Sequence, residues 1–233
     1  MPTGKSLLRE YFEALLIAVL FATFARSYVV QAFKIPTGSM EENLLIGDHI
    51  LVNKFIYGAT AWPALEEKLL PIRPIRRGDV VVFKYPEDPA RDFIKRCVAL
   101  PGDTVEIVDK QLYLNGRAIA DAGYTYHADR RTFARNSPLA AWSIRDNFGP
   151  YVVPPAHYFC LGDNRDNSRD SRVWGPVPES HVKGRAFMIY WSTSVDGESL
   201  EWPGFRGKLR QLGRLARYFR SATRWERTFD VVR

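Results

Sequence analysis

Cysteine and histidine are scarce in this chain, with two and four among 233 residues. Cys97 and Cys160 cannot build a disulfide framework, and neither belongs to a spaced cysteine pattern. They are expected to be buried free thiols rather than a disulfide. His49, His127, His157 and His181 are scattered, with no His/Cys cluster at metal-ligand spacing. No metal and no cofactor are therefore expected. The body also lacks net charge. The chain carries +7, but residues 203–233 hold nine Arg or Lys against two acids and account for all of it. The other 202 residues balance at 24 basic and 24 acidic. Basic character is a property of the tail, which suits an anionic surface such as lipid or nucleic acid. What the chain does have is 46% hydrophobic residues, ordinary for a folded protein and too many for disorder.

Residues 14–25 (ALLIAVLFATFA) carry no charge. Twelve residues are short for a membrane span of about 20. Tyr11 and Phe12 extend the apolar run on one side, and Tyr28, Val29, Val30, Ala32 and Phe33 extend it on the other. A transmembrane helix over 11–31 is expected, with Glu13 and Arg26 near the interfaces. A cleaved secretory signal and a buried helix compete with this reading. Thr23-Phe24-Ala25 is a poor cleavage site, and the apolar character continues past it. With Lys5 and Arg9 ahead of the span, residues 1–10 belong in the cytoplasm and the rest on the outer face.

From Phe33 the pattern turns β-like: short Val, Ile, Phe and Tyr runs broken by Gly, Pro, Asn and Asp. Strands are expected over 49–55, 79–85, 92–100, 104–108, 111–114, 117–119, 158–161 and 186–191, with an Asn115-Gly116 hairpin turn. The fold class is mainly β. A core over 33–106 and 158–202 is interrupted by an insertion over 107–157, and a basic tail covers 203–233. Leu209, Leu212, Leu215 or Ala216, and Phe219 recur at helical spacing, which allows an amphipathic surface helix or a solvated tail.

Three segments could carry chemistry. Pro36-Thr37-Gly38-Ser39-Met40 presents a small hydroxyl in a Gly-containing turn, but Ser39 needs a base, and no histidine or Gly-x-Ser-x-Gly elbow supplies one. Lys95, in Phe93-Ile94-Lys95-Arg96-Cys97, shares a strand face with Phe93 and Cys97. Burial there would lower its pKa and make it a base, although a lysine that snorkels to the sheet edge fits the residues as well. The run 162–172 (GDNRDNSRDSR) follows an apolar strand. Its alternating Asp and Arg suggest a rigid, internally paired loop, and Arg165 stands against a calcium-loop reading.

In this order, the three segments resemble the bacterial type I signal peptidases, which share a β fold with LexA-type self-cleaving repressors. The resemblance runs through 36–40, 45–48 (LIGD), 77–86 (RGDVVVFKYP), 94–103 (IKRCVALPGD), 162–172 and 174–179 (WGPVPE). It implies antiparallel sheets behind an N-terminal transmembrane helix. It also implies a serine endopeptidase that removes signal peptides from exported preproteins after Ala-x-Ala. Ser39 matches the nucleophile and Lys95 the general base. Thr37 matches the hydroxyl that shares the oxyanion hole with the Ser39 N–H, and Ser168 the hydroxyl that orients the lysine. Asp170 and Arg172 match a supporting ion pair. Implied partners are preproteins and the lipid bilayer, not nucleic acid, and the chain is expected to be a monomer at a bacterial cytoplasmic membrane. The 77–86 strand is expected in the core rather than in the substrate pocket. Departures are Glu41-Glu42-Asn43, where many relatives have a Pro, and Thr37 in place of the commoner Ser. Three rivals differ in what they predict. A self-cleaving repressor would be cut upstream of its Ser, yet Ala122-Gly123 lies downstream. A pilin-processing peptidase is a close variant. A silent membrane-anchored scaffold leaves the joint presence of Ser39, Lys95 and Ser168 without a reason.

Overall fold

Alternation of apolar residues builds the architecture. In strand β3, Val80–Tyr85, Val80 and Val82 pack into one cluster with Ile35, Met40, Ile50 and Ile189, while Val81 and Phe83 pack into another with Cys97, Tyr158 and Cys160. A period of two with both faces buried makes this the middle of the molecule. The computed structural model describes residues 7–24, 30–57, 73–121, 123–135, 137, 144–194 and 221–232.

Beside β3 lie β1 (Val30–Lys34), β2 (Asp48–Asn53), β4 (Asp88–Ala99), β9 (His157–Leu161), β10 (Val177–Pro178), β11 (Val182–Ser192) and β12 (Asp230–Val231). They form one sheet in the order β1-β2-β11-β3-β4-β9-β10, with β12 on β11, and the pairings are antiparallel. A second antiparallel sheet has the order β7-β6-β5-β8, from β5 (Thr104–Val108), β6 (Gln111–Leu114), β7 (Arg117–Ala118) and β8 (Phe148–Val152). Its core of Val105, Ile107, Leu112 and Leu114 packs with Val98, Phe159 and Leu161 of the first sheet. Asn115 and Gly116, at φ 53 and 76, turn β6 into β7 in the left-handed conformation that Asn-Gly favours.

Several expectations need correction. The helix α1 is Leu7–Phe24, 18 residues, and Val30 and Gln31 are not helical. They pair with Asn53 and Val52 in β1, so the apolar run past residue 30 is a strand rather than an extension of a helix to residue 31. Arg9, Glu10 and Glu13 occupy the first turns of α1. No helix among the described residues is long and apolar enough to cross a membrane. The proposed flanks Lys5 and Arg26 lie outside the described residues. The 106/107 boundary cuts β5; the second sheet runs from Thr104 to Val152 and takes in β8, which the weak periodicity of 120–157 concealed. The expected helix over 209–219 and the Ala122 position lie outside the described residues. The end of the tail is docked rather than frayed: 221–232 adds β12 to the main sheet, and Val232 is buried in the first core cluster. Cys97 and Cys160 face each other across β4 and β9 as buried free thiols.

Candidate active site

Ser39 sits in a single helical turn, Gly38–Met40, directly after β1 and Pro36. Met40 at 0% exposure anchors this turn in the core, which leaves Ser39, at 9%, at the rim of the buried region. Lys95 lies on β4, paired with Val81 of β3, on the face shared with Phe93 and Cys97 as its alternation predicts. The ammonium group is 5.6 Å from the Phe93 ring centroid. Lys95 does not snorkel: it is 4% exposed, and its Nζ lies 2.7 Å from Ser39 Oγ and 2.9 Å from the Ile94 carbonyl. Burial lowers its pKa to about 8 from an ordinary 10.5, with Arg172 adding to the fall and the charges of Asp170, Cys160 and Asp163 opposing it.

The 162–172 loop closes over this pair. The Asn164 N–H donates to the Ser39 carbonyl, and Asn164 Nδ2 donates to the Gly38 carbonyl and to Glu41. Asp170 and Arg172 form a buried ion pair at 2.7 Å, and Arg172 also donates to the carbonyls of Arg145 and Arg165. Asp170 accepts from the Gly162 N–H. Burial alone would raise the Asp170 pKa, but Arg172 outweighs it and holds the carboxyl below its ordinary value. Asp170 also caps the short helix α2, Ser171–Trp174, by accepting from the Arg172 N–H.

Ser168 and Thr37 lie beside this pair without hydrogen-bonding to Lys95. Ser168 Oγ is buried and makes no bond to Lys95. It faces the Asp170 carboxylate and packs on Gly162, where an added Cβ would overlap Ser168 Oγ and come within 2.5 Å of the Ser39 carbonyl. Thr37 caps the Gly38–Met40 turn in extended backbone, exposed and with no capping bond from its side chain. Its hydroxyl is therefore not engaged in holding the turn.

Sequence reasoning missed the polar frame around the pair. Arg96 points away from Lys95 and forms a bidentate, buried ion pair with Asp163 at 2.7 Å, over the Tyr124 ring. Asn43 Nδ2 donates to Asp163 Oδ2 and to the Tyr124 carbonyl, which ties the serine loop to that pair. The only local signal was the β alternation that sends Arg96 to the opposite face. The 77–86 strand is core, as expected, and its Val82 also lines a small groove with Phe33, Ile35, Pro36, Ile50 and Ile94. That groove has a cavity volume of about 40 Å³ and runs beside the residues leading to Ser39.

Comparison with known proteins gives the family of the chain. The family model described as "Signal peptidase, peptidase S26" matches residues 8–191. A signal peptidase I of Pseudomonas aeruginosa is 37% identical over 86% of this chain and 78% of its own length. One of Aquifex aeolicus is 35% identical over 81% and 86%. A solved signal peptidase I of Enterococcus faecalis V583 is 33% identical, covering 49% of this chain and 97% of its own, with a TM-score of 0.36. With most of its length matched, this chain belongs to the signal peptidase family, peptidase S26, and is a serine-type endopeptidase.

Proposed function

We propose that the protein is a membrane-anchored endopeptidase that removes signal peptides from exported preproteins, with Ser39 as nucleophile and Lys95 as general base. The observation that carries this reading is the 2.7 Å contact between Lys95 Nζ and Ser39 Oγ, made by a lysine whose pKa burial has lowered to about 8. A neutral amine at that distance accepts the Oγ proton as Oγ attacks the scissile carbonyl. The resulting ammonium then protonates the leaving amine, and a water activated by the same amine hydrolyses the acyl-enzyme. The Thr37 hydroxyl and the Ser39 N–H donate to the oxyanion. Ser168 is assigned the orienting of Lys95 by its match to the family pattern, and Asp170 and Arg172 hold the loop that carries it.

The substrate binds as an extended strand beside 33–36, its side chains alternating into the groove. The groove, about 40 Å³ and walled by Ile50, Val82 and Ile94, favours a short apolar side chain such as Ala, in keeping with cutting after Ala-x-Ala. The anchor is α1, whose Tyr11, Phe12, Leu15, Ile17, Leu20 and Phe21 are all more than 60% exposed, an apolar surface that the described residues leave uncovered. On this reading the catalytic body lies on the outer face of the bacterial cytoplasmic membrane.

The test is cleavage of a purified preprotein by the full chain in liposomes, with the cut mapped by mass spectrometry. The expected cut follows Ala-x-Ala, and replacing the last Ala by Phe should abolish it. Equal cleavage of the Phe substrate would overturn the substrate assignment.

A further inference from the structure

The described C-terminal residues, 221–232, lie beyond the stretch matched by the family model, yet they touch the loop that carries Ser39. That loop has a closed neck: the Ile35 N–H donates to the Asp48 carbonyl at 2.8 Å, and the Gly47 N–H donates to the Ile35 carbonyl at 3.0 Å. Residues 36–46 project from this neck. The neck packs so closely on the end of β11 that a Cβ on Gly47, at φ +89, would overlap the Thr193 carbonyl.

Two arginines from 221–232 hold the neck and the loop. Arg227 Nη2 donates to Asp48 Oδ2 at 2.7 Å and to the Asn43 carbonyl at 2.8 Å. Asp48 is 0% exposed and also accepts from Ser192 Oγ at 2.6 Å and the Leu45 N–H at 2.8 Å. Arg224 Nη2 donates to the carbonyls of Ile46 and Thr193, both at 2.5 Å. Asn43 is therefore gripped from two sides, by Arg227 at its carbonyl and by Asp163 and Tyr124 at its side chain. The segment is itself fixed. The Phe229 N–H donates to the Ile189 carbonyl at 2.7 Å, and Val232 shares a core cluster with Met40, the neighbour of Ser39.

We propose that Arg227, seconded by Arg224, is a positioning residue for the nucleophile: it bridges Asn43 and Asp48 and so fixes the loop that presents Ser39 to Lys95. The inference rests on the Ser39/Lys95 reading above. Its logic is geometric. A planar guanidinium can satisfy a carboxylate and a carbonyl at two points of the loop at once, whereas a lysine ammonium supplies the charge without the fixed fork. Displacing a catalytic group by about 1 Å can cost about 100-fold in rate.

The test compares Arg227→Met and Arg227→Lys with the parent full chain in detergent micelles, using a signal-sequence peptide well below each melting temperature. The expected result for Arg227→Met is a kcat about 10- to 100-fold lower, with KM within about twofold. Arg227→Lys is expected to recover the melting temperature, by keeping a cation against Asp48, but not kcat. If Arg227→Met does not fold, Arg227→Lys decides alone. The proposal is overturned if kcat stays within about threefold of the parent while only the melting temperature falls, if the whole loss lies in KM, or if lysine restores kcat fully. Ser39→Ala is run in parallel. Activity in Ser39→Ala would sink the underlying reading, whereas an inactive Ser39→Ala beside a fully active Arg227→Met would sink the positioning role alone.

Discussion

Raising the pH from 7 to 9 is expected to increase kcat/KM about tenfold, because Lys95 works as the neutral amine. With a pKa of about 8, roughly one tenth of Lys95 is neutral at pH 7 and roughly nine tenths at pH 9. A lysine at the ordinary value of 10.5 would be neutral about 300-fold less often at pH 7. The same burial has a stability consequence of opposite kind. The unfolded chain keeps the Lys95 proton up to about 10.5, and the folded chain releases it near 8, so between these values the unfolded state binds more protons and stability rises with pH. Below pH 8 the buried ammonium costs the fold its full penalty, about 3 kcal/mol. Lys95→Met removes that penalty. The variant should be inactive, yet more stable than the parent at pH 7, with the advantage fading as the pH approaches 10.5. Initial rates on a signal-sequence peptide between pH 6 and 10, with thermal melts of both proteins in the same buffers, check both halves. A rate profile flat through pH 8, or a Lys95→Met protein that melts lower than the parent at pH 7, would refute the reasoning.

Thr37→Val keeps the shape of the side chain and removes the hydroxyl; kcat should fall by about 10²–10³ with the melting temperature unchanged. Gly162→Ala puts a methyl group against Ser168 and the Ser39 carbonyl, so activity should be lost in steady-state assays even where the protein stays folded by circular dichroism. Asp170→Asn leaves Arg172 buried without its counter-charge, and chemical denaturation should show a loss of about 3–5 kcal/mol.

The strands that could be read from the sequence are those whose alternation is local. Val80 to Tyr85 announces itself, as does the Asn115-Gly116 turn. Ser39 and Lys95 were individually ambiguous from their neighbours, and only the joint pattern of three segments singled them out; their contact spans 56 positions. What escaped is held by partners remote in the chain. Asn43 finds Asp163 across 120 positions, and Arg227 finds Asp48 across 179, with no periodicity to mark either. Strand β8 was hidden because Phe148–Val152 alternates weakly, with a Pro and a Gly among its five residues. The helix boundary was overextended for a different reason: Val30 and Gln31 are apolar enough or neutral enough to continue a span, but their hydrogen-bonding partners sit on β2.

The central claim is that Ser39 is the nucleophile of a preprotein-cleaving enzyme. Its most direct test is the cleavage rate of a purified preprotein by the parent and by Ser39→Ala, at equal concentration and pH 9. The account predicts a single cut after Ala-x-Ala by the parent and a rate at least about 10³-fold lower for the variant. Cleavage at the same bond and the same rate by Ser39→Ala would contradict it.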